Sequence, residues 1–212
     1  MKIAVFGATG MVGRKLVEQS LAKDFYVNAF GRNVEDLIDK DSRDEHLTAI
    51  KGYVFDEKDV RNAIKDTDAV ISVLGGAFDG TDKSRSLGMK NIIKQMENTG
   101  VKRIIALGGM GVLTADDDHY VLDTPGYPQQ LKTVGQEHLL AYLYLQESSL
   151  DWTFVCPSMI LDEDGKRHYI TSADYPPDSD RHEIAAGDLA AFMLTEMIER
   201  KYIRHRVGIS RS

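Results

Sequence analysis

The sequence predicts an α/β fold, a doubly wound parallel sheet with helices on both faces. Two observations predict it. Apolar runs suited to strands alternate five times with helix-spaced apolar residues over the first half of the chain, an order that places a parallel sheet between two helix layers. Those runs end at Gly7, Gly31, Asp56, Gly75 and Gly108, so small or acidic residues gather along one carboxyl edge, where ligands bind in such sheets.

Each element has its own signal. Ile3 to Phe6 is short and apolar, as a strand buried on both faces requires. Gly7, Gly10 and Gly13 follow at intervals of three, and Leu16, Val17 and Leu21 continue at helical spacing. A tight strand-to-helix turn points free backbone N–H groups and the positive end of the helix dipole at one spot, which suits a pyrophosphate. In such a turn Gly7 makes the bend, Gly10 lets the backbone approach the phosphate, and Gly13 lets the helix lie close on the strand. With a first strand before it and an amphipathic helix after it, this motif points to dinucleotide binding.

The first helix runs from about Met11 to Ala22 and the second strand from Phe25 to Gly31. A short helical piece, Glu35 to Ile38, and a charged loop, Asp39 to Glu45, lead to a third strand over Leu47 to Phe55 and a helix over Glu57 to Lys65. Ala69 to Leu74 is a fourth, continuously apolar strand, followed by Gly75-Gly76 and a loop to Lys83. A helix then runs to Asn98 with Leu87, Ile92, Ile93 and Met96 on one face, and Gly100 stops it. Val101 to Leu107 is the fifth strand.

The second half reads differently. Gly108 to Gln129 is a long, polar, open loop containing Asp116-Asp117-Asp118-His119, and loops of that length are more often functional or mobile than merely connecting. A helix over Gln130 to Glu147 precedes a sixth strand, Trp152 to Cys156, which Pro157 stops. Asp162 to Asp180 is expected to be irregular, Asp188 to Arg200 helical, and Val207 to Ser210 a final strand.

Composition narrows the function classes. A chain of 212 residues is expected to form a single domain, 1–212, with a substantial core. A net charge of −7 argues against a nucleic-acid partner held on a broad basic face. Arg200, Lys201, Arg204 and Arg206 alternate with apolar residues and read as a solvated edge. The single cysteine, Cys156, allows no internal disulfide and fits a reducing compartment. Scattered histidines and one cysteine offer no metal-ligand cluster. No segment is long enough to span a membrane and the N-terminus has no signal-like apolar stretch. The expectation is a cytoplasmic protein acting on a small-molecule substrate, without nucleic acid or membrane and with its oligomeric state open.

Charge logic bears on the cofactor. NAD-binding folds place Asp or Glu at the end of the second strand, against the ribose hydroxyls. Here that position reads Gly31-Arg32-Asn33, with no acid until Glu35. An arginine pairs with a 2′-phosphate through its planar fork of donors, which favours NADP, with NAD as the alternative. Arg14, beside the phosphate turn, is placed to assist.

GATGMVGRKLVEQ from Gly7, AVISVLGG from Ala69, SSLDWTFVCPSMI from Ser148 and GDLAAFML from Gly187 together resemble the atypical short-chain dehydrogenase/reductase group. More narrowly they are similar to the NmrA-like NAD(P)H-binding proteins, which include biliverdin-IXβ/flavin reductase. The resemblance covers nearly the whole chain. It implies a seven-stranded Rossmann sheet, with substrate held over the nicotinamide by the C-terminal third. The implied cofactor residues are Gly7, Ala8, Thr9, Gly10, Met11, Val12 and Gly13 in the phosphate turn. Further along the edge they are Arg32, Asn33, Asp56, Leu74, Gly75, Gly76, Gly108, Gly109, Pro157 and Ser158. Asp56 is expected next to the adenine, with Phe55 packing there.

The catalytic side departs from the group. Its usual Tyr-x-x-x-Lys pair is missing, since Tyr142 is followed by Gln146 and Tyr144 by Ser148 at that spacing. The stretch after the fifth strand, Gly108-Gly109-Met110-Gly111, has no hydroxyl before Thr114, and the group's histidine after the sixth strand is matched by Met159. The resemblance leaves His138 on the long helix, where relatives carry histidine or lysine. As a proton donor near neutral pH, as an organiser of the nicotinamide pocket, or as a structural residue, His138 is the candidate. Tyr127 and His119 in the long loop are within reach of a substrate, although a loop histidine beside aspartates is usually just solvated.

The leading expectation is therefore an NADPH-dependent reductase of a planar conjugated acceptor such as a flavin, quinone or tetrapyrrole. Such rings take hydride directly once aligned over the nicotinamide, and solvent supplies the proton. The alternative is a non-catalytic NAD(P)-sensing regulatory protein of NmrA type. A nucleotide-sugar epimerase or dehydratase is weighed down by the missing Tyr-x-x-x-Lys and the short C-terminal region.

Overall fold

Alternation along the first strand sets up the architecture. Ile3 and Val5 enter one core and Ala4 and Phe6 the other, because successive residues of a strand point to opposite faces. The computed structural model describes residues 1–37, 44–77, 79–116, 119–166 and 168–212. Parts of five expected segments lie outside the described residues: Ile38 of the short helical piece, 39–43 of the charged loop, Phe78 of the loop that ends at Lys83, Asp117-Asp118 of the long loop, and Arg167 of the 162–180 segment.

In chain order the elements are β1 (Lys2–Phe6), α1 (Met11–Leu21), β2 (Tyr26–Gly31), β3 (Leu47–Lys51), α2 (Glu57–Ile64), β4 (Ala69–Ser72), α3 (Met89–Thr99) and β5 (Arg103–Leu107). There follow a small antiparallel pair, β6 (Thr114–Asp116) and β7 (His119–Tyr120), then α4 (Lys132–Glu147) and β8 (Asp151–Pro157). The chain closes with β9 (Met159–Leu161), β10 (Tyr169–Ala173), β11 (Glu183–Ala185), α5 (Ala186–Glu199) and β12 (His205–Arg211).

The main sheet has the order β10-β12-β8-β5-β4-β1-β2-β3. Every neighbouring pair is parallel except β10 with β12. This is the doubly wound α/β sheet that the alternation predicts. From β1 the chain moves outward to β2 and β3, then returns to build β4, β5, β8 and β12 on the other side. The reversal opens a crevice at the carboxyl ends of β1 and β4, the place where such sheets take ligands. Helices α1 and α5 pack on one face of the sheet, and α2, α3 and α4 on the other.

The structure corrects several expectations. The sheet has eight strands rather than seven, because residues within the supposedly irregular 162–180 segment form β10, which pairs Tyr169 to Arg211 through Ala173 to Val207. Its polar Thr171 and Ser172 suit an edge strand. The third strand stops at Lys51 instead of Phe55: Gly52 is wedged against Phe30 and Asp59, and the Tyr53 N–H turns to the Asp59 carboxylate at 3.0 Å. Leu87 is exposed, not on the buried face with Ile92, Ile93 and Met96, because a π-turn over Ser84–Gly88 shifts the helical phase before α3 begins. The final strand is longer than expected. Nor is the 108–129 loop open: Val112, Leu113 and Leu122 are buried. Arg206 ties it down, donating to Val112 O at 2.7 Å and Thr114 Oγ1 at 2.8 Å. With its ion pair to Asp174, Arg206 is a largely buried clamp rather than part of a solvated edge.

Candidate functional site

The turn between β1 and α1 is fixed by backbone crowding. Gly7 adopts φ +83°, and a β-carbon there would stand 2.6 Å from Val73 O. A β-carbon on Gly13 would stand 2.1 Å from Gly7 O, so helix and strand touch through bare backbone. Gly10 differs. Only Gly7 O, at 3.3 Å, lies near its β-carbon position, so the fold itself leaves room there for something to approach.

The first bond inside α1 is Arg14 N to Gly10 O at 2.9 Å, and no side chain caps the helix. The N–H groups of Met11, Val12 and Gly13 therefore face outward at the positive helix end, an arrangement that receives phosphate oxygens. Ala8 and Val12 turn their side chains into the core and contribute backbone only. Arg14 folds back on the turn, its Nε donating to Thr9 O at 3.0 Å. Beside it lies a cleft of about 490 Å³ lined by Thr9, Met11, Arg14, Lys15, Glu18 and Asp162. Lys15 closes its outer side through an ion pair with Asp164.

On one flank of the crevice, Arg32 and Asn33 are exposed directly after β2. Nothing lies within 4 Å of the β-carbon position at Gly75, whereas the Asp82 carboxylate is 2.7 Å from that of Gly76. Burial raises the Asp82 pKa, but hydrogen bonds from Ser84 and the charges of Arg32 and Arg85 outweigh it and hold the carboxyl below its ordinary range. Asp56 caps α2, its Oδ1 accepting the N–H groups of Lys58 and Asp59 at 2.8 and 2.9 Å. Phe55 beside it is exposed.

On the other flank, Gly108 lies flat against the Phe154 ring and donates to Val155 O at 2.7 Å. The His138 ring stacks on the next residue: its Cδ2 is 3.2 Å from the β-carbon position of Gly109. His138 Nδ1 is buried without a hydrogen-bond partner. Burial, with the nearby Arg85 charge, pushes its pKa down to about 3, so the imidazole is neutral at physiological pH. Pro157 is buried, and Ser158 Oγ at the end of β8 is buried and unpartnered, a polar atom left for a ligand to satisfy.

Three residues that sequence reasoning missed hold this flank together. Arg85 donates to Gly76 O at 3.0 Å and Ala77 O at 3.1 Å. Glu137, buried on α4, accepts from Lys83 Nζ at 2.8 Å and Ser86 Oγ at 2.5 Å. Asp82 sits over Gly76. No sequence spacing relates residue 85 to 137, so the network gave no local signal. His119, in contrast, is exposed at the start of β7 and paired with Asp116 at 2.7 Å.

The comparisons with known proteins follow this geometry. The uncharacterized protein YwnB of Bacillus subtilis is 28% identical over 170 residues, covering 79% of this chain and 76% of that protein. The solved structure of a candidate exported protein from Burkholderia pseudomallei superposes with a TM-score of 0.84 at 27% identity, over 99% of both chains. A candidate NADH-flavin reductase from Streptococcus pneumoniae gives a TM-score of 0.82 at 24% identity over 100% of both chains, a likeness of fold. Among the described residues no helix is long and apolar enough to cross a membrane. A family profile described as NAD(P)H-binding matches residues 7–200, and with the Rossmann sheet and its glycine turn this makes the chain a member of the NAD(P)H-binding family.

Proposed function

We propose that the protein reduces a flat conjugated acceptor, a flavin or quinone, using NADPH. The neutral His138 carries this reading. With its pKa near 3 it is no imidazolium acid at neutral pH, and the chain has no Tyr-x-x-x-Lys pair. An electron-poor ring is the acceptor class that tolerates this, because it takes hydride mainly through alignment. The name of the Streptococcus pneumoniae neighbour is in keeping with it.

The residues fit the cofactor. The uncapped N–H groups after Gly10 would hold the pyrophosphate, and the open space at Gly10 and Gly75 leaves room for it. Ser158 Oγ would gain the partner it lacks. Arg32, for which no described residue accepts a hydrogen bond, would pair with a 2′-phosphate, the basis for NADP over NAD. A bound nicotinamide would supply hydride, and His138 and Gly109, which contact each other, would help to shape its pocket. The lone, buried Cys156 agrees with a cytoplasmic location.

The test is to mix purified protein with NADPH and a panel of flavins and quinones and follow the loss of absorbance of the reduced nicotinamide. Acceptor-dependent oxidation supports the reductase. Tight NADPH binding with no oxidation across the panel would favour a nucleotide-sensing regulator.

A further inference from the structure

The crevice is walled by charges that come from two different loops. Its floor is Gly7, packed on Val73, and β1 runs between β2 and β4. Arg32 follows β2, while Asp82 stands over Gly76, beyond β4, with its carboxylate 2.7 Å from the β-carbon position there. The two residues thus lie on opposite sides of β1, close enough for the charge of Arg32 to help hold Asp82 ionised. Asp82 is partly exposed and fixed in place. Its Oδ1 accepts the Ser84 N–H at 2.8 Å, and Arg85 anchors Gly76 beneath it through the Gly76 carbonyl at 3.0 Å. The other acids near the opening are engaged elsewhere. Glu35, the nearest acid to Arg32 in the sequence, pairs at 3.0 Å with Lys51, which lies beside Gly31 on β3. Asp56 caps α2. A ribose carried from the phosphate turn to the end of β2 therefore meets a cation from one loop and a carboxylate from the other.

We propose that Asp82 selects between the two nicotinamide nucleotides: its carboxylate accepts a hydrogen bond from the 2′-hydroxyl of NAD(H) and repels the 2′-phosphate of NADP(H). The pocket then takes both nucleotides, with a smaller preference for NADP(H) than Arg32 alone would give. This rests on the place proposed above for the ribose, beside Arg32. The selection follows from charge. An ionised carboxylate only accepts hydrogen bonds, and a ribose hydroxyl has one to donate. A phosphate monoester carries about −1.5 to −2 at neutral pH and offers acceptor oxygens instead, so it gains Arg32 and at the same time meets Asp82. Hydrogen bonds from Ser84 and the charges of Arg32 and Arg85 keep Asp82 ionised against its burial, so the opposition persists through the neutral range. An acid at the end of β2 itself would select NAD. One set across β1, with an arginine opposite, weighs the two nucleotides against each other.

The test titrates the intact protein with NADP⁺ and with NAD⁺ by calorimetry and needs no turnover. Asp82→Asn keeps an oxygen for the Ser84 N–H and removes the charge. It should raise the ratio of NADP⁺ to NAD⁺ affinity about fivefold, the scale of one exposed charge acting on another. That rise should fade as salt approaches about 1 M, where the screening length shrinks to about 3 Å. A purely structural effect would not follow salt in this way. Asp79→Asn makes the same change of charge on the same loop, at an exposed carboxylate turned to Thr81, and should leave the ratio where it was. An unmoved ratio in Asp82→Asn, a rise that ignores salt, or an equal rise in Asp79→Asn overturns the proposal. A salt-sensitive rise in Asp82→Asn beside no fall in Arg32→Asp would overturn the place given to Arg32 and leave Asp82 as the selecting group.

Discussion

The carbonyl of Gly7 stands 2.1 Å from where a β-carbon on Gly13 would be, while the same carbonyl is 3.3 Å from the β-carbon position of Gly10. Two glycines of one motif therefore answer to different demands. Gly13 is required by the packing of α1 on β1, and Gly10 by what approaches from outside. Gly10→Val should abolish nucleotide binding with little change in melting temperature. Gly13→Val should destabilise the fold by more than about 3 kcal/mol, the overpacking range and beyond. Calorimetry with NADPH and thermal unfolding of both variants check the contrast. Wild-type nucleotide affinity in a well-folded Gly10→Val would place the phosphate elsewhere.

Arg32 follows β2 with its guanidinium exposed. Arg32→Asp should weaken NADP⁺ binding by at least about tenfold, as expected for loss of a charge-assisted pair, and should leave NAD⁺ binding equal or tighter. Parallel titrations with the two nucleotides measure it. Equal affinities for both in the wild type would remove the basis for the preference.

His138 makes a prediction about acid stability. Its folded pKa, about 3, lies below the ordinary 6.5, so between those values the unfolded chain binds the extra proton and the folded chain does not. Stability contributed by the neutral imidazole is thus fully present above about pH 6.5 and drains away as pH falls toward 3. His138→Gln should flatten that acid-side loss, seen as a smaller drop in urea midpoint between about pH 7 and pH 5. Over the same range wild-type turnover should show no imidazole titration. A rate that falls as pH rises through 6.5 would instead make His138 an acid.

At the opposite end of the sheet, Arg103 and Glu196 form a buried ion pair at 2.9 Å. Arg103 also donates to Asp151 O and Thr153 Oγ1, and Glu196 accepts the Tyr202 N–H. Burial pushes the Arg103 pKa down to about 10 against the favourable charge of Glu196, so it stays charged at neutral pH. Arg103→Met, which leaves the carboxylate buried and unpaired, should cost about 3–5 kcal/mol. NADPH affinity per folded molecule should not change, because the pair sits at the amino ends of β5 and β8. Denaturant unfolding and calorimetry separate the two effects.

Much of this was legible in the sequence because its signals are local. β1, β2, β4, β5 and β8 are apolar runs flanked by Gly, Asp or Pro, and Gly100 stops α3 as its position suggests, with φ +80°. The glycine turn is legible for the same reason: bend, cap and helix lie within eight residues. What was lost depends on distant partners. β10 becomes a strand only because β12 offers it an edge, and β9 and β11 exist only as each other's neighbours. The packing of His138 on Gly109, near the Arg85 charge, joins residues far apart in the chain, as does the packing of Tyr127 against Gly111 and Gly135. Leu87 fails for a different reason, since a wider helical turn resets the phase of its face.

The division of apolar side chains between the two sides of the sheet has a consequence for how the protein absorbs mutation. Leu16 belongs to the cluster under α1 and α5, and Ile92 to the one under α2, α3 and α4. Between them lies a hydrogen-bonded layer that side chains do not cross, so a void opened on one side cannot be filled by repacking from the other. Leu16→Ala and Ile92→Ala should therefore behave as strangers, their costs summing in the double variant to within about 0.5 kcal/mol. Each half of the interior can accumulate its own substitutions without consulting the other, and the chain carries two separate reserves of tolerance on a shared backbone.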